Sequence, residues 1–339
     1  MRSDGRNLAP DRAVLAGEGA QQRVRDPGAA FPVPQRLFDP ELPRERGGRP
    51  TYHGLPLLKE PVWLPTIAVY FYAGGVSGCS AALAAAIDLA GGAALERLGA
   101  RVRWLAVAGG IASTAILVHD LGRPTRFLHM LRVFRPTSPM SVGAWLLAGF
   151  GGAATAAAIL GPRRLPGRLA AWSAGLLGLP LATYTAALVA NTAVPVWQES
   201  RRALPLLFAA SAASGTASLL QLLDLDRREA RAVRVLAIGG KAAELVCGRA
   251  VEREAGRVER VARPLHRGAS GALWKAAKIL TAASLALDLA PVRGHGPRRA
   301  AGALGTLASL ALRFSVFTQG RASARDPRAV SAQQRASGR

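Results

Sequence analysis

"RVRWLAVAGGIASTAILVHDLGRPTRF", residues 101–127, begins with seventeen almost wholly apolar residues and ends on His119, Asp120, Gly122, Arg123 and Arg126 within eight positions. Such a run is about long enough to cross the ~30 Å hydrocarbon layer as a helix. Working outward, apolar segments of similar length recur at about 65–90, 138–161, 167–190, 203–223, 230–250, 269–290 and 298–317. Backbone groups in lipid find no water, so each must be paired within its own segment, which helices achieve. The pattern predicts an all-α membrane protein. Eight transmembrane helices are expected, in two packed four-helix bundles, with both chain termini on one side.

Composition agrees. Half of the 339 residues are apolar and 19% are charged, with a formal net charge of +23. A soluble domain carries more charge. The arginines cluster between apolar runs, as membrane loops require. With 6% aromatics and no stacking motif among those arginines, the chain lacks the marks of a nucleic-acid binder. Residues 1–63 are rich in Arg, Pro, Gly and Asp without helical period and read as a flexible polar tail. Residues 64–318 form the membrane domain, and 319–339 a basic C-terminal tail.

The polar knot after residue 117 has two readings. Gly122 suits the left-handed residue that closes a helix, and Pro124 prevents its continuation. Asp120 then sits in the last helical turn, where the dipole disfavours a carboxylate, with Arg123 and Arg126 nearest to offset it. It is either a rim salt bridge or a buried carboxylate that relays protons at the membrane surface. Beyond it, "RFLHMLRVFRP" (126–136) places Phe127, Leu131 and Phe134 on one face of a short interfacial helix. In "PTSPMSVGAW" (136–145), Ser138 is an N-cap and Pro139 occupies the first turn of the next span. Trp145 is of the belt-forming type, or a helix contact.

Other features read as packing. Gly74, Gly78 and Ala82 recur at four-residue spacing and admit a neighbouring backbone. Lys241 and Glu244, three apart, share a helix face and are expected to pair. Cys79 and Cys247 lie inside apolar runs, and no CxxC occurs, so neither a disulfide framework nor a cluster or zinc site is expected.

"DLGRPTRF" (120–127) followed by "PTSPMSVGAW" resembles the NrfD, or polysulfide-reductase, membrane-subunit family. The resemblance extends back through "YHGLPLLKEPVW" (52–63) and "YFYAGGVSGCSA" (70–81), and forward to "ATYTAALVANTAVPVW" (182–197). It implies an eight-helix quinone-reactive anchor in the cell inner membrane. The implied partners are a four-cluster ferredoxin-like iron–sulfur subunit and a molybdopterin catalytic subunit. The implied cofactor is a quinone such as menaquinone, with no haem or iron–sulfur cluster in this chain. Of the five histidines only His119 lies near a span, and bis-histidine haem needs a facing pair. Tyr184 matches the family's quinone-bonding tyrosine, although a tyrosine there also suits a membrane belt. Tyr70 stands where the family has a histidine, and Ile67 replaces a nearby polar residue. The expected quinone residues are therefore Tyr184, Tyr70 and Asn191, with Asp120 as proton relay. Arg123, Arg126, Arg132 and Arg135 are expected to dock the iron–sulfur partner.

Twenty Lys and Arg flank the spans on the side of the termini, against thirteen opposite. That excess favours cytoplasmic termini, whereas in many relatives this surface faces an exported subunit. Two rival functions are a transporter, for which no persuasive internal repeat is present, and a purely structural anchor.

Overall fold

The computed structural model describes residues 57–61, 63–90, 93–121, 125–291 and 294–337. Among them lie twelve α-helices and no strand: α1 (Thr66–Leu89), α2 (Glu96–Asp120), α3 (Thr125–Arg132), α4 (Pro139–Leu160), α5 (Leu165–Ala190), α6 (Pro195–Glu199), α7 (Ala203–Gln221), α8 (Arg227–Ala255), α9 (Glu259–His266), α10 (Gly268–Leu289), α11 (His295–Ala324) and α12 (Pro327–Ser337). The eight apolar segments are thus the eight long helices, seven of them within about five residues of the expected bounds and α11 running on from 317 to Ala324.

Six of them, α1, α2, α4, α5, α7 and α11, are long and apolar enough to cross a membrane. α8 and α10 fall outside that set; α8 carries Arg234, Lys241 and Glu244, and α10 carries Lys275, Lys278 and Asp288. The chain is a multi-pass membrane protein.

Local chemistry fixes several helix ends. Ser138 Oγ accepts from Ser141 N, with Pro139 at the first position of α4, as the sequence predicts. Asp226 accepts from the N–H groups of Arg228 and Glu229, and Glu229 returns the bond to Asp226 N, a capping box that starts α8. The Gly122, Arg123 and Pro124 features of the knot, and the expected tail apart from residues 57–61 and 63, lie outside the described residues.

Side-chain bonds show which ends lie together. Asp120 of α2 accepts from Leu64 N just before α1, Tyr184 of α5 donates to Pro139 O at the start of α4, and Glu254 of α8 accepts from Ala203 N at the start of α7. At the other end Arg163 pairs with Glu96, Arg101 bonds Asp224 O and Glu229, and Arg298 reaches the carbonyls of Leu223 and Leu225. The long helices therefore alternate in direction.

α1 packs on α2 and α5, and α4 on α2 and α5; α7 packs on α8 and α11, and α10 on the same two. α1 and α5 approach most closely where Gly78 faces Gly178. A Cβ on Gly78 would overlap the Gly178 carbonyl and come within 3.0 Å of Ala182 N, so no side chain fits at this crossing. Residues 319–337, expected within a tail, continue α11 to Ala324 and then form α12, whose Ala329 and Gln333 are buried.

Candidate functional site

The residues singled out in the sequence gather at the end of the bundle where α1 begins and α5 finishes. Tyr70, on the second turn of α1, is 5% exposed. Tyr184, near the end of α5, is half-buried, and the two phenols lie within electrostatic reach of each other. The Tyr184 ring lies over Gly143 of α4, where any Cβ would occupy the space of the phenol. Its hydroxyl donates to Pro139 O at 2.5 Å. Pro139 thus does more than start α4: its carbonyl orients the tyrosine.

Asp120 of the knot meets the start of α1. Its Oδ1 accepts from Leu64 N at 3.0 Å, so a carboxylate disfavoured at the end of α2 is stabilised at the positive start of α1. Arg126 does not pair with it. Arg126 Nη1 instead donates to Leu121 O at 2.9 Å, where α2 ends with its carbonyls exposed. Asn191 also caps its own helix, its Nδ2 donating to Ala187 O at 2.8 Å. Asp120 and Asn191 thus hold helix ends at the same end of the bundle as Tyr70 and Tyr184.

Arg126, Arg132 and Arg135 are exposed on α3 and the turn after it; Arg123 lies outside the described residues. α3 buries none of its residues, as an interfacial helix would. Phe134, just beyond it, meets Trp145 edge-on with centroids 6.2 Å apart. The same end carries a hollow of about 520 Å³ between α9, α10, α11 and α12. Arg260, Arg263, Arg267, Arg321 and Arg325 line it, with Asp326 as its one carboxylate. Sequence counting recorded these arginines only as flanking charge, because nothing local shows that 260–267 and 321–325 meet.

The "PVW" at the end of the quoted motif is an anchor. Trp197 is buried, donates Nε1–H to Val316 O at 2.9 Å and stacks on Trp63 at 6.2 Å. Glu60 accepts from Arg325 and Arg321, and those guanidiniums, Arg325 foremost, hold its carboxyl below its ordinary range. These contacts fasten the strap before α1 and the turn after α5 to α11.

A family model described as polysulphide reductase, NrfD, matches residues 56–240, more than half of the chain. The chain belongs to the NrfD family. The NrfD match spans α1 to α7 and ends inside α8, so it includes Tyr70, Asp120, Tyr184 and Asn191 and stops one residue before Lys241. A search of curated proteins finds no match to the chain.

Proposed function

We propose that this NrfD-family chain is the quinone-reactive membrane subunit of an oxidoreductase complex in the inner membrane. Electrons pass between the quinone pool, menaquinone by resemblance, and an iron–sulfur partner that serves a molybdopterin subunit. All eight long helices span the bilayer as two four-helix bundles, α1, α2, α4 and α5 against α7, α8, α10 and α11. Lys241, Glu244 and Asp288 are tolerated in α8 and α10 because they face protein and not lipid.

The observation that carries this reading is the Tyr184 hydroxyl, half-buried, oriented by Pro139 and backed by Tyr70. A phenol oxygen donates once and retains lone pairs. With its O–H donating to Pro139 O, Tyr184 is set to accept from a quinol hydroxyl, and it must release Pro139 O to donate to a quinone carbonyl. The residues therefore fit a quinol head group. A bound quinol supplies the electrons and protons. Tyr184 orients it, Tyr70 excludes water behind it, and Asp120 receives protons at the rim. The exposed Arg132 and Arg135, with the arginine-lined hollow, give this end the positive field that an acidic partner needs.

Two measurements test the frame. Cysteines introduced at 91–100 and at 191–202 are expected to label from opposite sides of the membrane; labelling of both from one side would remove the eight-span arrangement. The purified chain is expected to show no Soret band, since its histidines offer no facing pair. A band that follows the protein through purification would overturn that expectation.

A further inference from the structure

The C-terminal half encloses polar side chains that the tyrosine site does not use. On α7, Ser211, Ser214, Ser218 and Gln221 recur at three- and four-residue intervals, which is one helix face. α10 repeats the pattern with Thr281, Ser284 and Asp288. Lys241 and Glu244 of α8 and Arg313 of α11 lie among them, and none of these side chains is more than 5% exposed.

At one end the network closes on itself. Lys241 Nζ donates to Asp288 Oδ2 at 2.5 Å and to Gln221 Oε1 at 3.2 Å, and Gln221 Nε2 donates to Asp288 Oδ1 at 2.6 Å. Lys241 thus pairs across to α10 and not with Glu244 on its own helix.

Deeper in, the network is open. Glu244 Oε1 accepts from Thr281 at 2.8 Å, but Oε2 has no donor. Arg313 donates through Nη2 to Phe208 O at 3.0 Å and lies 3.7 Å over the Phe208 ring, while its Nε and Nη1 meet no acceptor. The hydroxyls of Ser211 and Ser214 face the Glu244 carboxylate, and Tyr72 faces Thr306, without closing a bond of good geometry, and Ser218 has no partner. Buried polar groups are almost always paired, and a stranded charge costs most of all. Such a concentration of orphaned donors and acceptors, walled partly by small serines, is a place for internal water, which takes two to four polar partners.

The polar file is also long. Ser211 to Gln221 spans ten helical rises, about 15 Å, or roughly half of the hydrocarbon thickness. Beyond Glu244 it continues through Arg313 to Tyr72, near the α1 end that holds Tyr70. At the other end Arg298, partly exposed, donates to Gln221 O at 3.3 Å.

We propose that α7, α8, α10 and α11 enclose a hydrated proton-transfer path whose protonatable group is Glu244, reached from the Gln221 end and continuing past Arg313 toward Tyr72. In each step a water-borne proton adds to a Glu244 carboxylate oxygen and leaves to the next water, and no electron moves. The titratable and charged groups facing Glu244 are Arg313 from α11 with Tyr72 of α1 behind it, and Lys241 on its own helix with its Asp288; α7 contributes hydroxyls alone. The path does not depend on quinone binding at Tyr184.

The test is infrared difference spectroscopy of the full-length chain in lipid nanodiscs. A protonated-carboxyl C=O band is expected to grow as pH falls, to be lost in Glu244→Gln, and to shift within seconds in D2O. Glu244→Asp keeps the carboxyl and should move the band, which identifies it even where the Gln variant does not accumulate. Ser214→Val puts methyl groups in place of an orphaned hydroxyl and should slow the D2O shift by about tenfold or more. The absence of a Glu244-dependent band, a band that resists D2O for hours, or an unchanged rate in Ser214→Val would each show a sealed structural network and overturn the path.

Discussion

Lys241→Met is expected to destabilise the protein by about 3–5 kcal/mol, the loss typical of removing one partner from a buried ion pair. The side chains of Lys241 and Asp288 are 0% and 3% exposed, so neither recovers water when the other is lost. Methionine keeps the length and bulk of the lysine stem, which leaves little cavity to confuse the reading. What remains is an Asp288 carboxylate bonded only by Gln221. Lys241→Met with Asp288→Leu removes both charges and should recover most of the loss, because apolar replacement of a whole buried pair is often neutral. The Arg163–Glu96 pair is the contrast. Its side chains are 83% and 49% exposed, and breaking it should cost about 0–1 kcal/mol. Equilibrium unfolding of the full chain in detergent, read as a double-mutant cycle, supplies all of these values. A loss below about 1 kcal/mol for Lys241→Met would mean that the ammonium is not the counter-charge of Asp288.

That pair also shows where sequence reading stops. Lys241 and Glu244 are three apart, and spacing correctly puts both on the buried face of α8. Spacing says nothing about which helix comes to meet that face. α10 brings Thr281 to Glu244 and Asp288 to Lys241, so the expected local pair becomes two contacts across helices. The α7 stripe from Ser211 to Gln221 is visible in the sequence, but serines in an apolar run read as packing until polar stripes on α8 and α10 are seen opposite. Helix bounds were legible because lipid allows few backbone alternatives. The tyrosine pair was legible through the resemblance; its orientation was not. Pro139 signals a helix start in the sequence, and only the α4–α5 contact shows its carbonyl holding Tyr184. The knot misled in one respect: Arg123 and Arg126 are the nearest cations to Asp120 in sequence, yet Arg126 bonds Leu121 O, and the carboxylate accepts from Leu64 N; Arg123 lies outside the described residues.

Tyr184→Phe is expected to lower quinol turnover or affinity by about five- to a hundredfold, the equivalent of roughly 1–3 kcal/mol for a hydrogen bond lost in a dry site. The ring stays, so its contact with Gly143 should survive, and assembly with an iron–sulfur partner should stay near normal. Two bonds go with the hydroxyl. One is the donation to Pro139 O at 2.5 Å, an internal bond whose loss acts on stability. The other is the acceptance of a quinol O–H, whose loss acts on turnover. Gly143→Ala is the complementary variant: it keeps the hydroxyl on the ring but displaces both, because a Cβ there would occupy the space of the phenol. If Tyr184 orients the head group, both variants slow turnover while Asp120→Asn mainly slows the proton-coupled step and leaves inhibitor affinity closer to normal. A belt tyrosine loses little when its hydroxyl is removed. Wild-type menaquinol turnover with unchanged inhibitor affinity in Tyr184→Phe would therefore eliminate this residue as a ligand, whatever the stability change.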